Sequence, residues 1–93
     1  MKLHNYLVYI LTNKNKTVLY VGVTNDLVIR LYQHITGQIK GFTRKYNCHY
    51  LVYYERYDNI NDAIAREKEI KGWSRKKKDK LITSFNPEWR FLN

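Results

Sequence analysis

Two tyrosines in short apolar runs, an arginine and a histidine one helical turn apart, and a glutamate on a helix face that ought to be apolar are the residues of this chain best suited to chemistry. Tyr9 lies in Leu7-Val8-Tyr9-Ile10 and Tyr20 in Leu19-Tyr20-Val21-Gly22, with Arg30, His34 and Glu67 following in that order. An arginine presents a planar fork of donors to a phosphate and can stabilise charge that develops there. Its plainer role is a surface arginine that only positions phosphate. His34 suits activation of a tyrosine or a water, or a simple hydrogen bond to the phosphate. A phenol with an ordinary pKa of about 10 is a poor base at neutral pH unless a cation or a metal-bound water stands near it. The tyrosines therefore gain weight only by sharing one face. Taken together the set suits holding and cutting a phosphodiester.

Glu67 is the sharpest single clue. At about 100° per residue, Ile60, Ala63, Ile64 and Ile70 gather on one side of a helix, with Glu67 in their middle and Glu69 nearly opposite. A carboxylate in that position needs a metal ion or an ion-pair partner, Arg30 or another base. The chain has only 8 Asp+Glu, and they are scattered. That argues against the carboxylate cluster of a two-metal nuclease and favours one Mg²⁺ or Mn²⁺ held by one carboxylate, waters and the substrate phosphate. Glu69 and Glu88 read as solvated surface groups, and His4 and His49 as structural or surface residues. Tyr32, Tyr50, Tyr53, Tyr54 and Tyr57 read as packing.

The elements that must position these residues follow from pattern. Residues 6–11, 17–23 and 49–56 are rich in β-branched and aromatic side chains and read as strands. The polar run Thr12 to Lys16 joins the first two as a hairpin. A turn centred on Lys14-Asn15 would set Tyr9 directly opposite Tyr20. Thr24-Asn25-Asp26 caps a helix over about residues 26–36, with Leu27, Val28, Leu31 and Ile35 as its buried stripe and Arg30 and His34 flanking it. Residues 37–48 read as an exposed basic connection. Asp58-Asn59 opens a second helix that runs to about Lys71 and stops at Gly72, and a last helix covers about 74–84 before Asn86-Pro87.

The whole chain, 1–93, reads as one domain, with no internal repeat or linker. Its 17 Lys+Arg give a net charge of +9, which points to a polyanionic partner, nucleic acid first. Nine tyrosines and two tryptophans add surfaces on which bases can stack. Lys40, Arg44 and Lys45, with Lys71, Arg75, Lys76, Lys77 and Lys78, form the two basic stretches that would bind it. A lone Cys48 excludes a disulfide within the chain and a zinc cluster. With no apolar run of spanning length and no signal-peptide core, a cytoplasmic protein is expected.

Tyr9, Tyr20 eleven residues later, Arg30 ten further and His34 four beyond that resemble the GIY-YIG endonuclease superfamily. Arg66-Glu67-Lys68-Glu69-Ile70-Lys71-Gly72-Trp73 and Asn86-Pro87-Glu88-Trp89 are similar to segments of its short stand-alone bacterial branch. The resemblance covers nearly the whole chain. It implies an α+β fold, a small three-stranded antiparallel β-sheet flanked by helices. It also implies one-metal, divalent-cation-dependent hydrolysis of DNA phosphodiesters. Tyr20 or Tyr9 would help activate the attacking water, Arg30 would stabilise the phosphate and Glu67 would hold the metal. His34 would support the tyrosines, and Asn86 would orient a phosphate or the site. The first motif departs from the family pattern, reading Leu-Val-Tyr rather than Gly-Ile-Tyr, and the second carries Val21 between its tyrosine and glycine. The targeting domains that many relatives add are not seen, so modest, sequence-indifferent cutting is expected, or a protein partner that supplies specificity. DNA is the expected substrate, with RNA not excluded. The alternative is a nucleic-acid-binding module of the same fold with weak or no turnover.

Overall fold

Residues 5–93 are described by a computed structural model, so His4 lies outside the described residues. Strands β1 (Tyr6–Thr12), β2 (Leu19–Thr24) and β3 (Tyr50–Tyr57) form one antiparallel sheet in the order β2-β1-β3. Helices α1 (Leu27–Ile35), α2 (Phe42–Lys45), α3 (Ile60–Lys71) and α4 (Arg75–Phe85) complete the chain. No helix of the described residues is long and apolar enough to cross a membrane.

Alternation along β1 divides the core in two. Val8 and Ile10 point to one face, where they pack with Val21, Val52, Tyr53, Ala63, Ile70 and Ile82 beneath α3 and α4. Tyr9 and Leu11 point to the other, with Leu51 and Cys48, and Leu27 and Leu31 of α1 close over them. Every β1 residue from Val8 to Thr12 is buried, as expected of a central strand covered on both faces. Each fully buried Val, Ile or Leu contributes about 1.5–3 kcal/mol.

The hairpin register differs from the symmetric expectation. Tyr9 pairs with Gly22, and Tyr20 with Leu11. The centre of the turn falls between Asn15 and Lys16, not Lys14 and Asn15. The loop is organised by Asn13, whose side chain accepts from the N–H groups of Thr17 (2.8 Å) and Val18 (3.2 Å), and by Lys16 in the left-handed region at φ 59°. The resulting slip is by an even number of residues, so both tyrosines keep their face and become diagonal neighbours.

Helix α1 is rotated from the expected orientation. Asp26 caps it, accepting from the Ile29 N–H at 3.1 Å. Leu27 and Leu31 face the sheet, but Val28 is 79% exposed and Ile35 53%. His34 is buried in their place. Two ring hydrogen bonds make that histidine a better core residue here than its flanking position implied. Residues 37–48 are also more ordered than an exposed connection. They contain α2, whose Thr43 is buried, and end on buried Cys48, whose N–H bonds the Thr43 carbonyl at 2.9 Å.

The C-terminal tail covers part of the free edge of β3. Leu92 N–H bonds the Leu51 carbonyl at 2.8 Å, and the Asn93 side chain accepts from Leu51 N–H at 2.9 Å. Asn86, capping α4, donates to the carbonyls of Val52 (3.1 Å) and Arg90 (2.8 Å) and accepts from Arg90 N–H (3.0 Å).

Candidate active site

The centre of the arrangement is Tyr9. Its ring lies across the strand over Gly22, so closely that a β-carbon there would meet Tyr9 Cζ and the phenolic oxygen at 2.5 Å. The glycine of the second motif thus makes room for the tyrosine of the first. The phenol hydrogen-bonds His34 Nε2 at 2.9 Å, and His34 Nδ1 meets Thr43 Oγ1 at 3.0 Å. Both contacts are buried, and they fix the imidazole ring from its two nitrogens.

Charge converges on this couple from two elements. Burial, assisted by Tyr20 and Glu67 and opposed by Arg30, pushes the Tyr9 phenol well above its usual range. Burial, with help from Arg30 and His49, lowers His34 to about 4, so its ring is neutral at physiological pH. Arg30 projects from α1, half-buried, and its guanidinium has no hydrogen-bond or ion-pair partner among the described residues. Glu67 comes from α3, on the opposite face of the sheet, with its side chain 14% exposed and its carboxylate 3.0 Å from Lys71 Nζ. Lys71, not Arg30, is the ion-pair partner of this carboxylate.

Tyr20 differs from Tyr9. It is partly exposed, with its ring 6.3 Å from Tyr9 and 5.5 Å from His34, and its hydroxyl has no hydrogen-bond partner among the described residues. It opens onto a shallow cleft of about 250 Å³ along the outer edge of β2, lined by Leu19, Tyr20, Val21, Phe42, Lys71 and Lys78.

Several expected roles take other positions. Asn86 spends its amide hydrogens on backbone carbonyls and latches the tail to β3. Arg75 donates to the carbonyls of Lys16 (2.8 Å) and Thr17 (2.9 Å) and to Asp79 (2.7 Å), bracing α4 against the hairpin turn. Lys77 lies over Trp73 at 4.4 Å, and Lys76, Lys77 and Lys80 line a separate shallow depression with Ser74. Lys40, Arg44 and Lys45 are exposed.

Two groups escaped the sequence reading. Thr43 lay in a stretch taken as a loop, and nothing local marks it as the partner of His34. Tyr53 and Tyr57, read as packing, both donate to Glu55, which also accepts from Arg66 Nε at 2.7 Å. Burial alone would raise the Glu55 carboxyl, but the hydrogen bonds from Arg66, Tyr53 and Tyr57 outweigh it and hold it below its usual range. Cys48 is fully buried, and burial pushes its thiol to about 11, so it is inert.

Among the described residues no three His, Cys, Asp or Glu side chains are grouped to hold a metal. Glu67 therefore offers a single, mostly buried carboxylate, paired with Lys71, which lines the cleft. That donor set fits Mg²⁺ or Mn²⁺, which keep several waters and take the rest of their ligands from a substrate phosphate.

Comparison with known proteins agrees with the geometry. A family model described as the GIY-YIG catalytic domain matches residues 5–80. A UPF0213 protein of Bacillus pumilus is 36% identical over 88 residues, covering 95% of this chain and 89% of the relative. One from Staphylococcus saprophyticus is 40% identical over 76 residues, covering 82% and 92%. The solution NMR structure of a UPF0213 protein from Bacillus halodurans superposes with a TM-score of 0.60 at 30% identity, covering 91% of this chain and 89% of that one.

Proposed function

The chain belongs to the GIY-YIG family, a nuclease fold, in its short bacterial branch, and from this premise we propose that it is a divalent-metal-dependent endonuclease acting on DNA phosphodiesters as a single domain. The observation that carries the reading is the buried Tyr9–His34 hydrogen bond, with the charge of Arg30, which has no hydrogen-bond or ion-pair partner among the described residues, felt at both rings.

Arg30 binds the non-bridging oxygens of the scissile phosphate and stabilises the charge that grows on them. Its fork suits a phosphate, and it gives up no internal hydrogen bond to bind one. Tyr20, which lines the cleft, orients the attacking water by a hydrogen bond from its phenol. Tyr9 is kept protonated by burial and acts as a positioning residue, holding the site's geometry with His34 and Thr43. Glu67 would hold the Mg²⁺ or Mn²⁺ ion, which when bound supplies Lewis-acid polarisation of the phosphate and an acidified water. Lys71 and Lys78 attract the strand to the cleft, and the exposed Lys40, Arg44 and Lys45 extend that field.

Cleavage of plasmid DNA that appears with Mg²⁺ or Mn²⁺ and stops on addition of EDTA is the expected result. Cleavage indifferent to EDTA would overturn the reading. The ion pair between Glu67 and Lys71, which must loosen before Glu67 could hold a metal, favours one second reading, a nucleic-acid-binding module with weak turnover. Tight, salt-sensitive binding without metal-dependent cutting would select it.

A further inference from the structure

A file of aromatic rings runs out from Tyr20 beside the cleft, and its last two members take no part in the hydrolytic machinery. Tyr20 stacks on Phe42, with centroids 6.2 Å apart and planes at 28°. Phe42 meets Tyr46 at 4.7 Å, and Lys45 Nζ lies 5.3 Å from the centre of the Tyr46 ring. The last two rings are turned outward. Phe42 is 44% exposed and Tyr46 40%, while Thr43 between them carries the burial of α2. The arrangement is set by backbone: Gly41, at φ 100°, turns the chain into α2, and Asn47, at φ 56°, turns it out. Phe42 and Tyr46 are one helical turn apart and present adjacent faces.

An intact duplex offers a protein its phosphates and groove edges, with base faces hidden in the stack. Aromatic rings half-open to water beside a lysine-lined cleft gain nothing from that surface. They gain from an unpaired base, whose face any ring can cover irrespective of sequence. Cations flank the file, with Lys71 and Lys78 at the Tyr20 end and Lys45 at the Tyr46 end. That alternation of rings for bases and cations for phosphates matches a displaced or single DNA strand.

We propose that Phe42 and Tyr46 form a stacking track for unpaired nucleotides next to the scissile phosphate, so that DNA with unpaired bases at the site is preferred to continuous duplex. The proposal rests on the cleft at Tyr20 being the phosphodiester site, and it deepens that reading by naming the substrate class.

Its test is equilibrium binding in EDTA, where no cleavage is required. A fluorescently labelled single-stranded oligonucleotide and the duplex of the same sequence would be titrated with wild type, Phe42→Ala, Tyr46→Ala and Phe42→Trp. Each alanine variant is expected to bind the single strand about 10-fold more weakly. Duplex affinity should change less than about 2-fold, and Phe42→Trp should keep the wild-type preference. Thermal melting of each variant separates loss of stacking from loss of fold, and Tyr46→Ala carries the test if Phe42→Ala does not fold. Equal losses on both substrates, or no loss on either, would overturn the proposal. Strand preference that follows Phe42 and Tyr46 in a protein that never cleaves would leave the stacking track standing and remove the hydrolytic reading. Metal-dependent cleavage with unchanged single-strand affinity in both alanine variants would do the reverse.

Discussion

Tyr9, Gly22 and His34 act as a unit, and each predicts a measurable consequence. Gly22→Ala places a methyl group where the Tyr9 ring already lies, at 2.5 Å from two of its atoms. The ring must move, straining the hydrogen bond to His34, and a loss of about 1–3 kcal/mol is expected. Urea denaturation in wild-type and Tyr9→Leu backgrounds checks the cause. The penalty should shrink sharply where the ring is absent, and an undiminished penalty would place its origin elsewhere. His34 predicts a pH dependence. Its ordinary value of 6.5 is lowered to about 4 in the fold. Between those values the unfolded chain binds a proton that the folded chain refuses, so stability falls as pH drops from 6.5 towards 4, by about 3 kcal/mol in all. Glu55, whose carboxyl is lowered, loses its contribution only at more acid pH, as pH falls through its folded value. Denaturation midpoints across pH 4–7 should slope in wild type and flatten over that interval in His34→Gln. An unchanged slope in the variant would assign the effect to another group.

At the scale of elements, the strands and the long helices were legible in the sequence because each carries its own signal. β-branched runs mark β1, β2 and β3, and Asp26, Asn59 and Ser74 cap the three long helices that follow them. The mostly buried Glu67 was legible for the same reason, as a charge interrupting the apolar face of α3. What could not be read is how the elements meet. The hairpin register depends on the Asn13 side chain, and the rotation of α1 depends on His34 finding Tyr9 and Thr43 across the fold. The latch role of Asn86 depends on a β3 carbonyl far away in sequence. Tyr9 and His34, named together by the family resemblance, meet in the fold, and the hydrogen bonds of Asn86 are made to backbone that no local signal marks. Asn86→Ala should therefore cost about 2–4 kcal/mol through three lost hydrogen bonds, one buried and two partly buried. Hydrogen exchange at Leu51 should accelerate with it, while the turnover of molecules still folded stays within a few-fold of wild type. A large fall in turnover at unchanged stability would give Asn86 a direct part in the site.

For the whole molecule, a net charge of +9 on 93 residues sets the terms of association. Binding to DNA in EDTA should weaken steeply as salt rises, log K falling linearly with log salt at about 0.9 per phosphate neutralised on duplex. Salt-insensitive binding would contradict an electrostatic interface of any kind. The proposed activity depends on Glu67, a residue of α3, serving one site with Arg30, His34 and the two tyrosines. The most direct test is plasmid nicking by wild type and Glu67→Gln in parallel, with Mg²⁺, Mn²⁺ or EDTA. The substitution removes a charge paired with a half-exposed Lys71, so it should lower stability by less than about 1 kcal/mol. Metal-dependent nicking by wild type that vanishes in an equally folded Glu67→Gln is the predicted result. Nicking that persists in the variant at the wild-type rate would contradict the account.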